Sequence, residues 1–127
     1  MSTMVETPAE VEVRPAVVVP SVADVLERAA WYIEEFGHCK GVLARRSDMS
    51  DDSYPFSAAN SFCTYGAIIR ACIDFYGERE DHDGEILREF QRLTGMRGTI
   101  GMWNDASERT PAEVIARLRD AAEKARA

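Results

Sequence analysis

Long apolar runs are the first thing this chain lacks. No hydrophobic stretch approaches the roughly 20 residues that a membrane-spanning helix needs, so no transmembrane helix is expected. The opening residues, Met1 to Glu6, have neither the basic n-region nor the apolar h-region of a signal peptide. The expected compartment is therefore the cytoplasm, or the host cytoplasm if the gene is carried by a phage.

A basic stripe is missing as well. Net charge is −7, from 22 acidic against 15 basic residues. The densest basic pair, Arg45 and Arg46, is followed at once by Asp48, Asp51 and Asp52. Such a surface repels a phosphate backbone, so nucleic acid is not an expected ligand, whereas a basic partner is compatible with it. Cysteine is scarce: Cys39, Cys63 and Cys72 make an odd number with no repeating spacing, which excludes a disulfide framework and fits reduced thiols. His38, Cys39, Cys63 and His82 are capable metal ligands, but no C-x-x-C or H-x-x-x-H pair organises them. The acidic turn Glu78 to Glu85 fails as an EF-hand loop. With Gly84 at the sixth position, Arg79 and Phe90 would occupy the first and twelfth, where carboxylates are required. No metal, no cofactor and no internal repeat is expected.

What is present is enough for one small helical domain. A chain of 127 residues supports a single core, and 46% hydrophobic with 29% charged residues is ordinary for a globular protein. Residues 1–20, broken by Pro8, Pro15 and Pro20, read as a flexible N-terminal arm, with Val17 to Val19 apolar enough to lie against the domain or a neighbouring chain. Residues 21–127 read as the domain.

Ser21 with Asp24 makes a capping box for the first helix, whose stripe is Val22, Val25, Leu26, Ala29, Ile33 and Phe36 before the stop at Gly37. Trp31 points away from that stripe, amid Asp24, Glu27, Glu34 and Glu35. Residues 38–60 are irregular, with a short extended segment over Lys40 to Arg45 and Phe56 as the inward anchor of an exposed loop. A helix over Ser61 to Tyr76 is expected to be central. Phe62, Tyr65, Gly66, Ile69, Cys72, Ile73 and Tyr76 share a broad apolar face widened by Ile68 and Phe75, and only Cys63, Ala67, Arg70 and Asp74 form a polar stripe. Gly66 on that helix suits close approach of another helix. A third helix, capped by Asp83 and closed by Gly95, presents Ile86, Leu87, Phe90 and Leu93. Ile100, Met102 and Trp103 form a compact apolar set in a glycine-containing segment open to either short helix or extended chain. The last helix opens on Thr110, Pro111 and Glu113 and buries Val114, Leu118, Ala121 and Ala125. The expected fold is all-α: about four main helices around a central one.

The run Phe62-Cys63-x-x-Gly66-Ala67, together with Trp103-Asn104-Asp105-Ala106-x-x-x-Arg109-Thr110-x-x-Glu113-Val114, resembles an uncharacterised family of short proteins from actinobacteria and their phages. Cys39-Lys40-Gly41 matches a further Cys-x-Gly element of that family, and the likeness covers roughly residues 21–125. The resemblance implies a small phage or actinobacterial accessory protein and carries over no catalytic residue.

Three constellations compete for function. Cys63, expected in the first turn of the central helix, would have its thiolate stabilised by the helix dipole, and Cys63, His82 and Asn104 follow the chain order of a Cys–His–Asn hydrolase or transferase. Dense packing of a small thiol explains Cys63 better. Asn104 and Asp105 beside Trp103 suit a small-molecule or nucleotide pocket near Cys63, against the simpler role of bonding the turn before the last helix, with Asp105 reaching Arg109. Trp31 on the simpler reading is covered by the arm or another helix, and on the sharper one is the anchor for a protein partner, either a host protein or a second copy of the chain. The leading expectation is a non-enzymatic, partner-binding protein, with Trp31, Trp103, Asn104, Asp105 and Arg109 as candidate binding residues.

Overall fold

The structure is a computed structural model that describes residues 21–78 and 82–127; the arm and the middle of the acidic turn lie outside the described residues. Helix α1 spans Val22–Phe36. Its start is set by the expected box: Ser21 Oγ accepts the Asp24 N–H at 3.1 Å, and Asp24 accepts the Ser21 N–H at 3.0 Å. Its buried arc is wider than the stripe alone. Ala23, Ala30 and Tyr32 join Val25, Leu26, Ala29 and Ile33, while Phe36 is 44% exposed. The arc broadens because α1 is covered from two sides, by the second helix and the last.

The central helix begins later than its pattern indicates. Ser61–Phe62 is a strand, β2, paired antiparallel with β1 (Ala44–Arg45), with Ala44 opposite Phe62 and Arg45 opposite Ser61. Cys63 is the N-cap, and α2 spans Thr64–Tyr76. The face it buries is also rotated from expectation: Thr64, Ala67, Ile68, Ala71 and Cys72 are inside, whereas Tyr65 and Phe75 are 37% and 39% exposed. Small side chains occupy the tight side because neighbouring backbone comes close there, and the large rings are left at the edge. Gly66 is the extreme case. A Cβ on it would sit 2.1 Å from the carbonyl oxygen of Leu43. Its close neighbour is thus the strand-leading backbone and not another helix. The polar stripe of α2 is put to use too: Asp74 accepts bonds from Tyr32 Oη at 2.5 Å and Arg28 Nε at 2.9 Å, clamping α2 to α1.

Helix α3 spans Asp83–Thr94 and buries Ile86, Leu87 and Phe90. Its N-cap is His82, without a side-chain cap bond; Asp83, expected as the cap, is already the first helical residue. Gly95 closes it in the left-handed conformation at φ 65°. Residues Ile100–Asp105 form a short helix, α4, capped by Thr99. Ile100 is buried, but Met102, grouped with it above, is 71% exposed. Helix α5 spans Pro111–Arg126 with the reciprocal Thr110–Glu113 box, and it buries Val114, Leu118, Ala121 and Ala122 along α1. No helix among the described residues is long and apolar enough to cross a membrane.

In the irregular 38–60 segment, Phe56 is buried as expected. A buried Asp52 organises the loop, accepting from Arg46 Nε and from the Ala58 N–H, both at 3.1 Å.

Candidate functional site

Asn104, at the end of α4, is fully buried, and its amide is the hub of the molecule's polar interior. Its Oδ1 accepts the Thr64 N–H at 2.9 Å and the Thr64 hydroxyl at 2.6 Å, and lies 2.7 Å from His38 Nε2. Its Nδ2 donates to the Cys39 carbonyl at 3.1 Å and to Asp105 Oδ1 at 2.9 Å. The amide orientation follows from its backbone partners, since an N–H must face an acceptor and a C=O a donor. Oδ1 is therefore the atom facing His38, so Nε2 carries a proton there. Burial lowers the His38 pKa, more strongly than the Asn104 bond raises it, which makes the neutral Nε2–H tautomer the resting form.

Asp105 continues the network by accepting the Gly41 N–H at 3.0 Å. The Asn104 amide first, and the Gly41 N–H second, hold its carboxyl below the usual range. It does not turn to Arg109 as expected. Arg109 instead donates from Nε to the Trp103 carbonyl at 2.9 Å, stacks 4.2 Å from the Trp103 ring centroid and pairs with Glu113 at 3.6 Å. Trp103 is half-buried, with Arg117 also over its ring at 5.1 Å. The Cys-x-Gly element, the start of α2 and the Trp-Asn-Asp run thus meet at one corner, held by side chains that act on the protein's own backbone.

Cys63 is buried, and its Sγ accepts the Gly66 N–H at 3.2 Å. Burial pushes its thiol up to about 11, opposite to the activation expected of a thiol at a helix N-terminus. The Gly66 N–H works the other way but does not offset desolvation. The proposed chain order of a catalytic triad is not realised either: Asn104 engages His38, and His82 stacks on Tyr76 with centroids 3.9 Å apart. Among the described residues no group of three His, Cys, Asp or Glu comes together to hold a metal ion. All three cysteines are free and buried.

Trp31 is half-buried rather than outward. It packs edge-on against Tyr32 and Phe36, and the Arg28 guanidinium covers its face at 4.2 Å. The acidic surroundings read from the sequence omitted this arginine, three residues earlier and therefore one turn away.

Open space borders this corner, as a groove of about 500 Å³ beside Trp103 and Arg109 and one of about 420 Å³ beside His38 and Lys40, and continues at the approach to β1. A cleft of about 750 Å³ runs between the chain leading into β1, the exposed flank of α2 and the start of α3. Leu43, Phe56, Tyr65, Ile69 and Leu87 make its walls apolar. A smaller cleft of about 230 Å³ shares Val42, Leu43 and Tyr65 with it and reaches Gly41, Cys63, Gly101 and Asp105. Sequence reasoning missed the larger one, whereas the smaller lies where a pocket near Cys63 and Asp105 was weighed. The available signal was Tyr65, an amphipathic ring in the first turn of a helix, which periodicity assigned to the core.

The architecture is that of a small all-α domain whose distinctive residues build a scaffold beneath an open cleft. Residues 18–124 match the family of unknown function DUF6197, and the chain belongs to that family. None of the curated proteins and none of the solved structures matches it.

Proposed function

We propose that this protein is a non-enzymatic binding module, an accessory protein of actinobacterial or phage origin that takes a segment of a protein partner into the cleft beside Tyr65. The observation that carries this reading is the contrast between two sets of residues. Asn104, Asp105, Arg109 and Cys63 are committed to internal bonds, whereas Leu43 and Tyr65 stand 40% and 37% exposed beside open apolar space. An exposed apolar groove of this kind suits contact with a protein or ligand. Trp103 and Trp31, each half-buried under arginine, support the scaffold from the side.

The test is affinity capture from a bacterial lysate with three baits: wild type, Tyr65→Lys and Trp31→Ala. A species retained by wild type and Trp31→Ala but lost with Tyr65→Lys is the expected result. Equal retention by all three baits, or loss with Trp31→Ala alone, rejects the cleft. Sedimentation of the purified protein covers the case in which the partner is a second copy.

A small-molecule reading has one observation in its favour, the notch that Cys63 and Asp105 line. At about 230 Å³ it lies below the roughly 300–1,000 Å³ usual for ligand pockets. A thermal-shift panel of nucleotides and metabolites addresses it, because a ligand at 100 times its Kd adds about 2.7 kcal/mol.

A further inference from the structure

The chemistry of the occupant can be read from what lines the two clefts. Their walls are aliphatic and aromatic, and the charged residues among them are all acidic: Asp51, Asp52 and Asp83 on the larger, Asp105 on the smaller. Among the described residues, no lysine, arginine or histidine lines either one. Asp52 is consumed by Arg46 and the Ala58 N–H, so it serves the loop. Asp51 is different. It pairs with Arg45 at 3.5 Å, but its side chain stays 68% exposed. Asp105 is held in its charged form at the opposite end. The whole chain, at −7, adds a field of the same sign. An anionic ligand would meet carboxylates in both clefts, while a cation joined to an apolar group would be attracted and then desolvated against the walls.

Shape narrows the class. Leu43 and Tyr65 form a ridge between the clefts, and both clefts are open rather than enclosed. A compact molecule would fill one and leave the other. A peptide chain crossing the ridge would place a side chain on each side, with alternate residues of an extended segment pointing the same way.

We infer that the occupant is a peptide segment with two apolar anchors and an adjacent lysine or arginine, which straddles the Leu43–Tyr65 ridge with its cation towards Asp51. This inference rests on the binding reading above. It is tested by panning a displayed library of random dodecapeptides on the purified full-length protein, then measuring the selected peptides by titration. The expected result is enrichment of sequences pairing Leu, Ile, Phe or Met with Lys or Arg. Their affinity should fall about tenfold with Asp51→Lys and about tenfold or more with Tyr65→Lys. It should weaken with added salt and remain unchanged in Phe75→Lys, which alters an exposed ring on the same helix. Peptides that depend on Tyr65 but carry no basic residue, or bind equally to Asp51→Lys, would overturn the inference and leave the binding reading intact. A Tyr65-dependent self-association would overturn it in favour of a second copy. Absence of any Tyr65-dependent peptide, together with no Tyr65-dependent species in the lysate capture, would reject the inference and the reading together.

Discussion

The amide of Asn104 serves His38, Cys39, Thr64 and Asp105 at once, from a position with no solvent exposure. Truncation would strand the Thr64 N–H and the Cys39 carbonyl in the interior, and each stranded group costs about 1–3 kcal/mol. Asn104→Ala is therefore expected to lose roughly 2–5 kcal/mol, measured as the shift of a urea midpoint. A midpoint within about 0.5 kcal/mol of wild type would show that water replaces the amide and that the hub is not structural. Gly66 offers an independent check on the corner. Alanine ordinarily strengthens a helix by about 1 kcal/mol over glycine, but here its Cβ would collide with the Leu43 carbonyl, which is backbone and cannot rotate away. Gly66→Ala should destabilise by about 1–3 kcal/mol and loosen amide exchange around Leu43 and Ala44. A stabilised variant would place β1 further from α2 than described.

At the level of elements, the two tryptophans lie in similar settings. Trp31 on α1 and Trp103 on α4 are both half-buried against the core, each with an arginine 4.2 Å from its ring. A fully buried tryptophan truncated to alanine costs about 3–5 kcal/mol, and half-burial reduces that figure. Both Trp31→Ala and Trp103→Ala should lose about 2 kcal/mol, so the two denaturation midpoints should nearly coincide. A much larger loss for Trp103→Ala would mean that α4 docks more tightly than its exposure indicates. The junction before α5 depends on a smaller effect. Thr110 Oγ1 accepts the Glu113 N–H at 3.2 Å, and replacing an N-cap hydroxyl by a methyl costs about 1 kcal/mol. These ends were legible because a cap involves residues three apart. The start of α2 was not: Ser61 and Phe62 carry a helical pattern, but pairing with Ala44 and Arg45 takes them into a strand. The buried face of α2 was misread for a related reason. Periodicity locates large apolar residues, whereas the tightest packing here selects Gly66, Ala67 and Ala71.

For the whole molecule, the buried titratable groups set a pH window. His38 is depressed by burial, so its contribution to stability is complete above about pH 6.5 and is lost as pH falls. Burial raises Cys63 to about 11 and Cys72 to about 12, so their contribution is complete below about pH 8.5 and is lost as pH rises through those values. Urea midpoints should form a plateau between about pH 6.5 and 8.5 with a decline on either side, and Cys72→Ala should flatten the alkaline limb. A wild-type curve level to about pH 10 would mean that these thiols ionise without unfolding. The sequence by itself determined the helical class, the capped starts of α1 and α5, the glycine stop of α3 and the buried stripe of α5, because those depend on contacts within a few residues of one another. Tertiary structure alone decided the strand before α2, the partners of Asn104 at 40 and 65 residues' distance, and the exposure of Tyr65. Nor could periodicity reveal the cleft, whose walls come from the β1 approach, α2 and α3 and exist only once packing has brought those segments together.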